Sequence, residues 1–238
     1  MSNEKPKKSL VKRIFKWTGI SLLTLIVLLV AAPFLFKGKI VAIVKEQANA
    51  NLNAKVDFGE FDLSLITSFP DFRFEINNVS VVGLAPFEGD TLASIGRLTT
   101  DINLKSVLSG NYVVNSIVID KPRIQAIVLK DGKANWDIAK PSADTITTET
   151  ADTSSTAFAL KLKEFKINEA FIVYDDRESD MYSKLENLNY SLGGDFTQDN
   201  FILNNVLDIA KTTFKMGGVA YLSNVHTKAK ADLDMDMP

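Results

Sequence analysis

The sequence predicts a mainly β protein, in which an N-terminal transmembrane helix and an amphipathic helix lead into a curved antiparallel β-sheet with one open apolar side. Three observations predict it. Residues 17–36 (WTGISLLTLIVLLVAAPFLF) form a run of 20 residues without a charge. From Lys55 onward the apolar residues recur with a period of two instead of 3.6. At several points the apolar positions change parity, as they do when a β-bulge inserts one residue into a strand.

The uncharged run comes first. At about 1.5 Å per residue it makes a helix of roughly 30 Å, the thickness of a bilayer's hydrocarbon core. Only a helix can cross as a single segment, because it pairs all its backbone groups internally. Residues 1–16 carry Lys5, Lys7, Lys8, Lys12, Arg13 and Lys16 against the single acid Glu4. Such a cluster beside a first hydrophobic helix is retained in the cytoplasm, which places the body outside. A cleaved signal peptide is the alternative, with Val30-Ala31-Ala32 as a small-residue cleavage site. Against it, the apolar run continues through Phe36 and Pro33 sits where the cut would fall.

Composition narrows the function. The chain has 238 residues, enough for the anchor and one or two modest domains. Of its 27 basic and 29 acidic residues, six and one respectively precede Trp17, so the remainder carries about −7. That balance argues against a nucleic-acid groove and predicts no nucleic-acid partner. Cysteine is absent, which excludes disulfides, thiolate metal sites, catalytic thiols and a lipidated N-terminal cysteine. His226 is the single histidine. It is too little for most acid–base or metal constellations.

Residues 37–53 read as an amphipathic helix, with Ile40, Val41, Val44, Ala48 and Leu52 along one stripe. The stripe suits either the headgroup region or the first turn of a sheet. Residues 54–140 read as a first β module. Phe61, Leu63 and Leu65, then Phe72, Phe74 and Ile76, alternate with polar residues, and parity switches near Gly59 and near Asn77-Asn78. Strands are further predicted over 92–104, 113–119 and 124–129, with one helical turn near Val107-Leu108, Pro122 at a strand end or edge, and an Asp131-Gly132 hairpin. Residues 141–157 hold nine Ser/Thr and three acids with little apolar bulk, a polar linker or long loop. In 158–238 strands are predicted at 158–167, 170–174, 184–192, 200–209, 212–222 and 224–237, with a bulge or bend at Gly217-Gly218. The last strand is left open at the end of the sequence, so the second segment reads as truncated or as an edge awaiting cover.

No chemical constellation emerges. Phosphate loops, dinucleotide fingerprints, nucleophile elbows and paired-histidine zinc motifs are all missing from the sequence, so neither an enzyme, nor a cofactor, nor a metal site is expected. The acidic cluster at Asp175, Asp176, Glu178 and Asp180 lacks the regular oxygen spacing of a calcium loop and reads as turn residues. Trp136 reads as a core plug at the end of a hairpin.

The combination of basic N-terminus, single anchor and amphipathic helix is followed by Phe58-Gly59, FDLSL at 61–65, PDF at 70–72, NNVSVVG at 77–83, DTLASI at 90–95, VLSGN at 107–111, SIVIDKPRI at 116–124 and DGKANW at 131–136. It resembles the N-terminal region of the AsmA family of Gram-negative envelope proteins. The resemblance covers residues 14 to about 140 well, and beyond 158 holds only in style. It implies an inner-membrane anchor, a periplasmic body shaped as an elongated, taco-like β-sheet related to bridge-like lipid transfer proteins, and a link to outer-membrane biogenesis and phospholipid movement.

The residues add a mechanism. A curved sheet with one uncovered apolar face is a trough in which acyl chains can lie while the headgroup stays in water. Groove candidates are Phe72, Phe74, Ile76, Ile117, Ile119, Ile124, Val128, Phe171, Val173, Phe214 and Leu233. Eleven or so strands at about 4.8 Å would give a groove of roughly 50 Å. The partners expected are membrane phospholipids, with outer-membrane or periplasmic proteins as further partners. The alternative is a non-transporting, membrane-anchored scaffold for assembly or regulation of outer-membrane proteins, its apolar face closed by its own side chains. The anchor makes a direct prediction. Intact protein should resist alkaline extraction of membranes and retain Trp17 in its mature N-terminal sequence; release as a soluble body beginning near Ala32 would overturn it.

Overall fold

The computed structural model describes residues 16–21, 24, 38–39, 41–43, 45–64, 68, 71–108, 113–140, 162–194, 198 and 200–236. Most of the predicted span at 17–36, and all of the polar segment at 141–157, lie outside these residues. Among the described residues no helix is long and apolar enough to cross a membrane.

Among the described residues ten strands form one sheet: β1 (Ala54–Asp57), β2 (Phe61–Ser64), β3 (Asp71–Gly83), β4 (Thr91–Asn103), β5 (Val114–Asp120), β6 (Arg123–Val128), β7 (Glu164–Asp176), β8 (Met181–Gly193), β9 (Asn200–Met216) and β10 (Val219–Asp236). They occupy eight rows in the order β1-β3-β4-β5-β7-β8-β9-β10, with β2 beside β3 and β6 between β4 and β7. Eight rows span only about 34 Å at 4.8 Å each, less than the expected groove, because two rows are each made of two short strands. The sheet is mixed, not wholly antiparallel as predicted: β7 runs parallel to both β5 and β6. The chain must therefore cross from one end of the sheet to the other between β6 and β7, which takes a connection of a dozen residues or more.

A line of bulges crosses every row but one. Asp57 pairs with Ser80 and Phe61 with Ile76, so β1 and β2 share one register and Gly59 falls opposite Asn78. The pairs Asn77–Arg97 and Val79–Ile95 set Asn78 opposite Gly96. Arg97–Asp120 and Ser94–Arg123 set Gly96 opposite Lys121. Asp120–Asn168 and Arg123–Phe171 then set Lys121 opposite Glu169. Next to it the β7–β8 register shifts around Ala170, at Asn187, and the β9–β10 register slips between Leu222 and Thr227, around Asn224. Asn78, Lys121, Glu169, Asn187 and Asn224 all have φ between 53° and 55°, the left-handed region. Each switches the parity of its strand, so that Phe74 and Ile76 before Asn78 share a face with Val79 and Val81 after it. The row of β9 passes the line without a left-handed residue among those described.

The line also explains why strands run on through predicted breaks. Breaks were expected near 168–169, 210–211 and 223, where parity or pattern falters, yet β7, β9 and β10 run through all three positions. The true turn is Gly217-Gly218, with φ of 56° and 72° and Met216 paired to Val219. Positive φ at both central residues is the two-residue hairpin geometry that matches strand twist.

The two edges of the sheet differ. Residues 45–51 are helical and lie along the outer side of β1. There the Asn49 amide donates to the Val56 carbonyl at 2.9 Å and its Oδ1 accepts from the Val56 N–H at 2.8 Å, imitating a strand. Lys45 pairs with Asp57 at 2.5 Å. This is the sheet-capping use of the amphipathic helix. At the far edge β10 pairs with β9 alone among the described strands.

A strap over residues 129–140 ties the helix end to β6. Gly132 (φ 77°) closes a tight turn, its N–H donating to Leu129 O at 3.0 Å, and only the single bridge Val128–Ala134 follows. The predicted hairpin turn is present, but its return arm is not a strand. Instead the buried Asn135 side chain accepts from Ile127 N–H at 2.9 Å and donates to Gln125 O at 2.6 Å. Further along, Lys140 Nζ donates to the carbonyls of Asn49 and Ala50, both at 2.9 Å, satisfying the last turn of the helix.

Two stability predictions follow from these contacts. Asn187→Val should lower the denaturation free energy by about 1–2 kcal/mol, because a β-branched residue resists positive φ, while Asn187→Gly should be neutral or stabilising. Equal losses in both variants would contradict the strain argument. Asn135→Ala should cost about 1–3 kcal/mol by orphaning the Ile127 N–H and Gln125 carbonyl, and should speed proteolysis within residues 129–140.

Candidate functional site

Partners across a sheet share a face, so the registers can be read as ladders running transverse to the strands. One runs Phe61, Ile76, Leu98, Ile119, Ile167, Tyr190, Leu207, Ala229. Another runs Phe74, Thr100, Ile117, Phe165, Leu192, Asn205, Ala231. Beyond the bulge line a third runs Val81, Ala93, Ile124, Ile172, Leu185, Thr212, Val225. The apolar face is thus continuous from the first row to the last. Ring contacts agree with the assignment: Phe61 and Phe74 meet edge-on at 4.7 Å, and Phe165 and Tyr190 at 6.2 Å.

Among the described residues nothing seals this face. A sheet packed inside a sandwich would bury its inner residues, yet Phe72, Phe74, Ile76, Ile117 and Ile119 are all only half-buried. Full burial is confined to a few positions. Ala170 (0% exposed), Leu188 and Ile209 form the core cluster, directly beside the bulge line, with Ile167, Ile172, Leu185, Tyr190 and Leu207 packed around them.

The opposite face is a lattice of satisfied polar groups. Arg73 grips Asp101 with two bonds of 2.7 and 2.8 Å, and Ser116 donates to the same carboxylate at 3.0 Å. The Arg73 hydrogen bond holds the Asp101 carboxyl below the ordinary carboxylate range. Asp120 accepts from Arg97 at 3.1 Å and Asn168 at 2.8 Å. Further on, Asp208 meets His226 at 2.7 Å and Lys228 at 3.1 Å, chiefly the His226 contact lowering its pKa. Charges on this face pair across rows, as at Arg73–Asp101, Arg97–Asp120 and Lys228–Asp208, or along a strand, as at Lys184–Glu186.

The groove candidates divide along these faces. Phe72, Phe74, Ile76, Ile117, Ile119, Ile124, Val128, Phe214 and Leu233 lie on the apolar face by register. Phe171 and Val173 lie on the other, opposite Arg123 and Gln125, and Arg123 stacks over the Phe171 ring at 4.6 Å. Left-handed Glu169 is the reason: it flips β7, so Ile172 and Tyr174 take the apolar side. The sequence reading missed Ala170, Leu188 and Ile209 at the centre of the face. Counting register outward from Asn187 and Glu169 would have found them.

At the end of the sheet nearest the helix lies a cavity of about 850 Å³, lined by Asn53, residues 83–87 and residues 131–138. Trp136 is 44% exposed there, its ring 6.0 Å from Tyr174, and is not the core plug expected. Gly83 is required on the wall, because a Cβ would stand 2.7 Å from the Phe87 carbonyl oxygen. The acidic cluster after β7 is a turn, in which Asp176 accepts from the N–H groups of Glu178 and Ser179, both at 3.0 Å. Those two bonds, Ser179's first, lower its pKa. Among the described residues no three His, Asp or Glu side chains converge as a metal site would need.

No curated protein matches the chain as a relative. The AsmA family profile, however, matches residues 11–237, reaching past the polar segment and through β10, much further than residues 14–140 where the motifs lie. One sheet with one apolar face, unbroken from β1 to β10, accords with that span, and the chain belongs to the AsmA family.

Proposed function

We propose that this protein is an inner-membrane-anchored, periplasmic member of the family serving outer-membrane biogenesis, and that its sheet holds and passes phospholipid. The observation that carries this reading is the continuous, half-exposed apolar face beside the bulge line. A bulge bends its strand and increases its twist. Bulges in register across the rows bend the whole sheet about one line, and burial is deepest on the apolar side of that line, so the apolar face is the inner wall of a trough. Acyl chains lying there would each gain about 0.8 kcal/mol per methylene removed from water. Sliding from one row to the next exchanges one apolar ladder for another of similar area, so movement meets no large barrier. The headgroup needs no dedicated site, since it stays at the open side in water.

The helix at 45–51 and the cavity beside Trp136 sit at the end of the sheet that the preceding residues lead into, which is where a lipid leaving a bilayer would enter. A purely structural scaffold would need its apolar face closed by its own side chains, and half-exposed Phe72 and Phe74 speak against that reading.

The test contrasts the two faces. Gently extracted wild-type protein should carry phospholipid detectable by native mass spectrometry. Ile119→Asp, on the apolar face, should reduce that lipid at least about tenfold, since a charge in a desolvated site costs several kcal/mol. Val173→Asp, on the polar face, should leave it unchanged. Lipid-free wild-type protein, or equal effects from the two variants, would overturn the proposal.

A further inference from the structure

The polar face holds an arginine that its lattice does not use. Arg73 faces Asp101 directly across the β3–β4 pair and Arg97 faces Asp120 across β4–β5, each guanidinium gripping that carboxylate. Arg177 holds Asp175 in the turn after β7. Arg123, by contrast, has Ser94 opposite it on β4 and Phe171 opposite it on β7, so a serine and a ring stand where the others meet an acid. It makes no ion pair among the described residues; its contact is the Phe171 ring, whose centre lies 4.6 Å from the guanidinium carbon. The next acid along that ladder, Glu186, is taken by Lys184 at 2.8 Å.

Around Arg123 the surface is hollow. Thr91, Ser94, Arg123, Gln125 and Phe171 line a cavity of about 260 Å³. Stacking on Phe171 fixes the plane of the guanidinium and leaves its N–H edge for another group. Two hydroxyls and an amide, each able to donate, share the cavity with it. The volume falls below the roughly 300–1,000 Å³ of sites that enclose drug-sized ligands, and suits a small ion. A carboxylate would spend its two oxygens on the guanidinium fork and leave the hydroxyls and the amide without acceptors, whereas a phosphate monoester brings three oxygens. We propose that this cavity binds a phosphate group, with Arg123 clamping two of its oxygens and Thr91, Ser94 and Gln125 donating to the remainder. It opens on the face away from the acyl chains, so it stands whether or not the trough carries lipid. The group can be carried by a soluble phosphate monoester or by the headgroup of phosphatidate.

Full-length protein in nonionic detergent, titrated with inorganic phosphate in a calorimeter at an ionic strength of about 0.1 M, should bind it saturably, and acetate at least about tenfold more weakly. Arg123→Gln should weaken phosphate at least about tenfold. Lys211→Gln removes the same charge three rows along the same ladder, beyond the screening length, and should change the affinity less than about twofold. Ser94→Asp gives Arg123 the facing carboxylate that Arg73 and Arg97 already have. It should abolish phosphate binding while the thermal midpoint holds or rises, which separates a filled site from an unfolded one. Glycerol 3-phosphate and phosphatidate in mixed micelles distinguish the sources: equal affinities, both lost in Arg123→Gln, assign a soluble ligand, and phosphatidate binding about tenfold tighter, again through Arg123, assigns the headgroup. No saturable phosphate binding, equal losses in Arg123→Gln and Lys211→Gln, unaltered binding in Ser94→Asp, or acetate binding as tightly as phosphate would overturn the proposal.

Discussion

Everything in this sheet depends on strands keeping register across an inserted residue. In rows three, four and five the insertion is matched by a residue directly opposite, Gly96 facing Lys121 facing Glu169, so that the pairing resumes unchanged beyond it. A single unmatched bulge would shift every later pair and turn half of each strand's apolar residues toward water. Matched bulges avoid this and leave a bend as their only residue. The left-handed conformation costs about 1–3 kcal/mol at a non-glycine position, less at asparagine, and here it recurs at Asn78, Asn187 and Asn224. Lys121 and Glu169 accept the same geometry, and their side chains approach each other to 3.7 Å.

The same architecture separates the two faces by chemistry. On one, aspartates are bridged row to row by arginine, asparagine and serine, so the surface is stable in water without help. On the other, Phe, Ile and Leu continue through eight rows and most stay half-buried, with Phe61 and the cluster of Ala170, Leu188 and Ile209 among the buried exceptions. An apolar face of this extent that stays half-exposed differs from an ordinary protein surface, where large contiguous patches mark interaction sites.

Much of this was legible in the sequence. The change of period at Lys55, the bulges at Gly59 and Asn78, the Gly132 turn and the apolar side of β3, β5 and β6 all follow from local alternation. What local alternation could not supply was the distinction between a bulge and a turn. Both interrupt the period in the same way, so the interruptions at Ala210-Lys211 and Ser223 looked like strand ends, and the Gly217-Gly218 hairpin looked like a bend. Phe171 and Val173 were misplaced for the same reason, since a glutamate at 169 gives no hint of positive φ. The parallel pairing of β7 was equally hidden: direction is decided by where the chain after Lys140 returns to the sheet, and no residue type records it. The reach of the family match past Phe158 was likewise invisible to motifs, because β7 to β10 carry the pattern of the fold without its short signatures.

The central claim is that the face containing Leu188, and not the face containing its neighbour Asn189, receives acyl chains. A photo-reactive amino acid placed at each of these positions in turn, followed by illumination in membranes bearing labelled phospholipid, tests it directly. The account predicts lipid adducts from position 188 and background levels from 189. Adducts from neither, or equally from both, would contradict it.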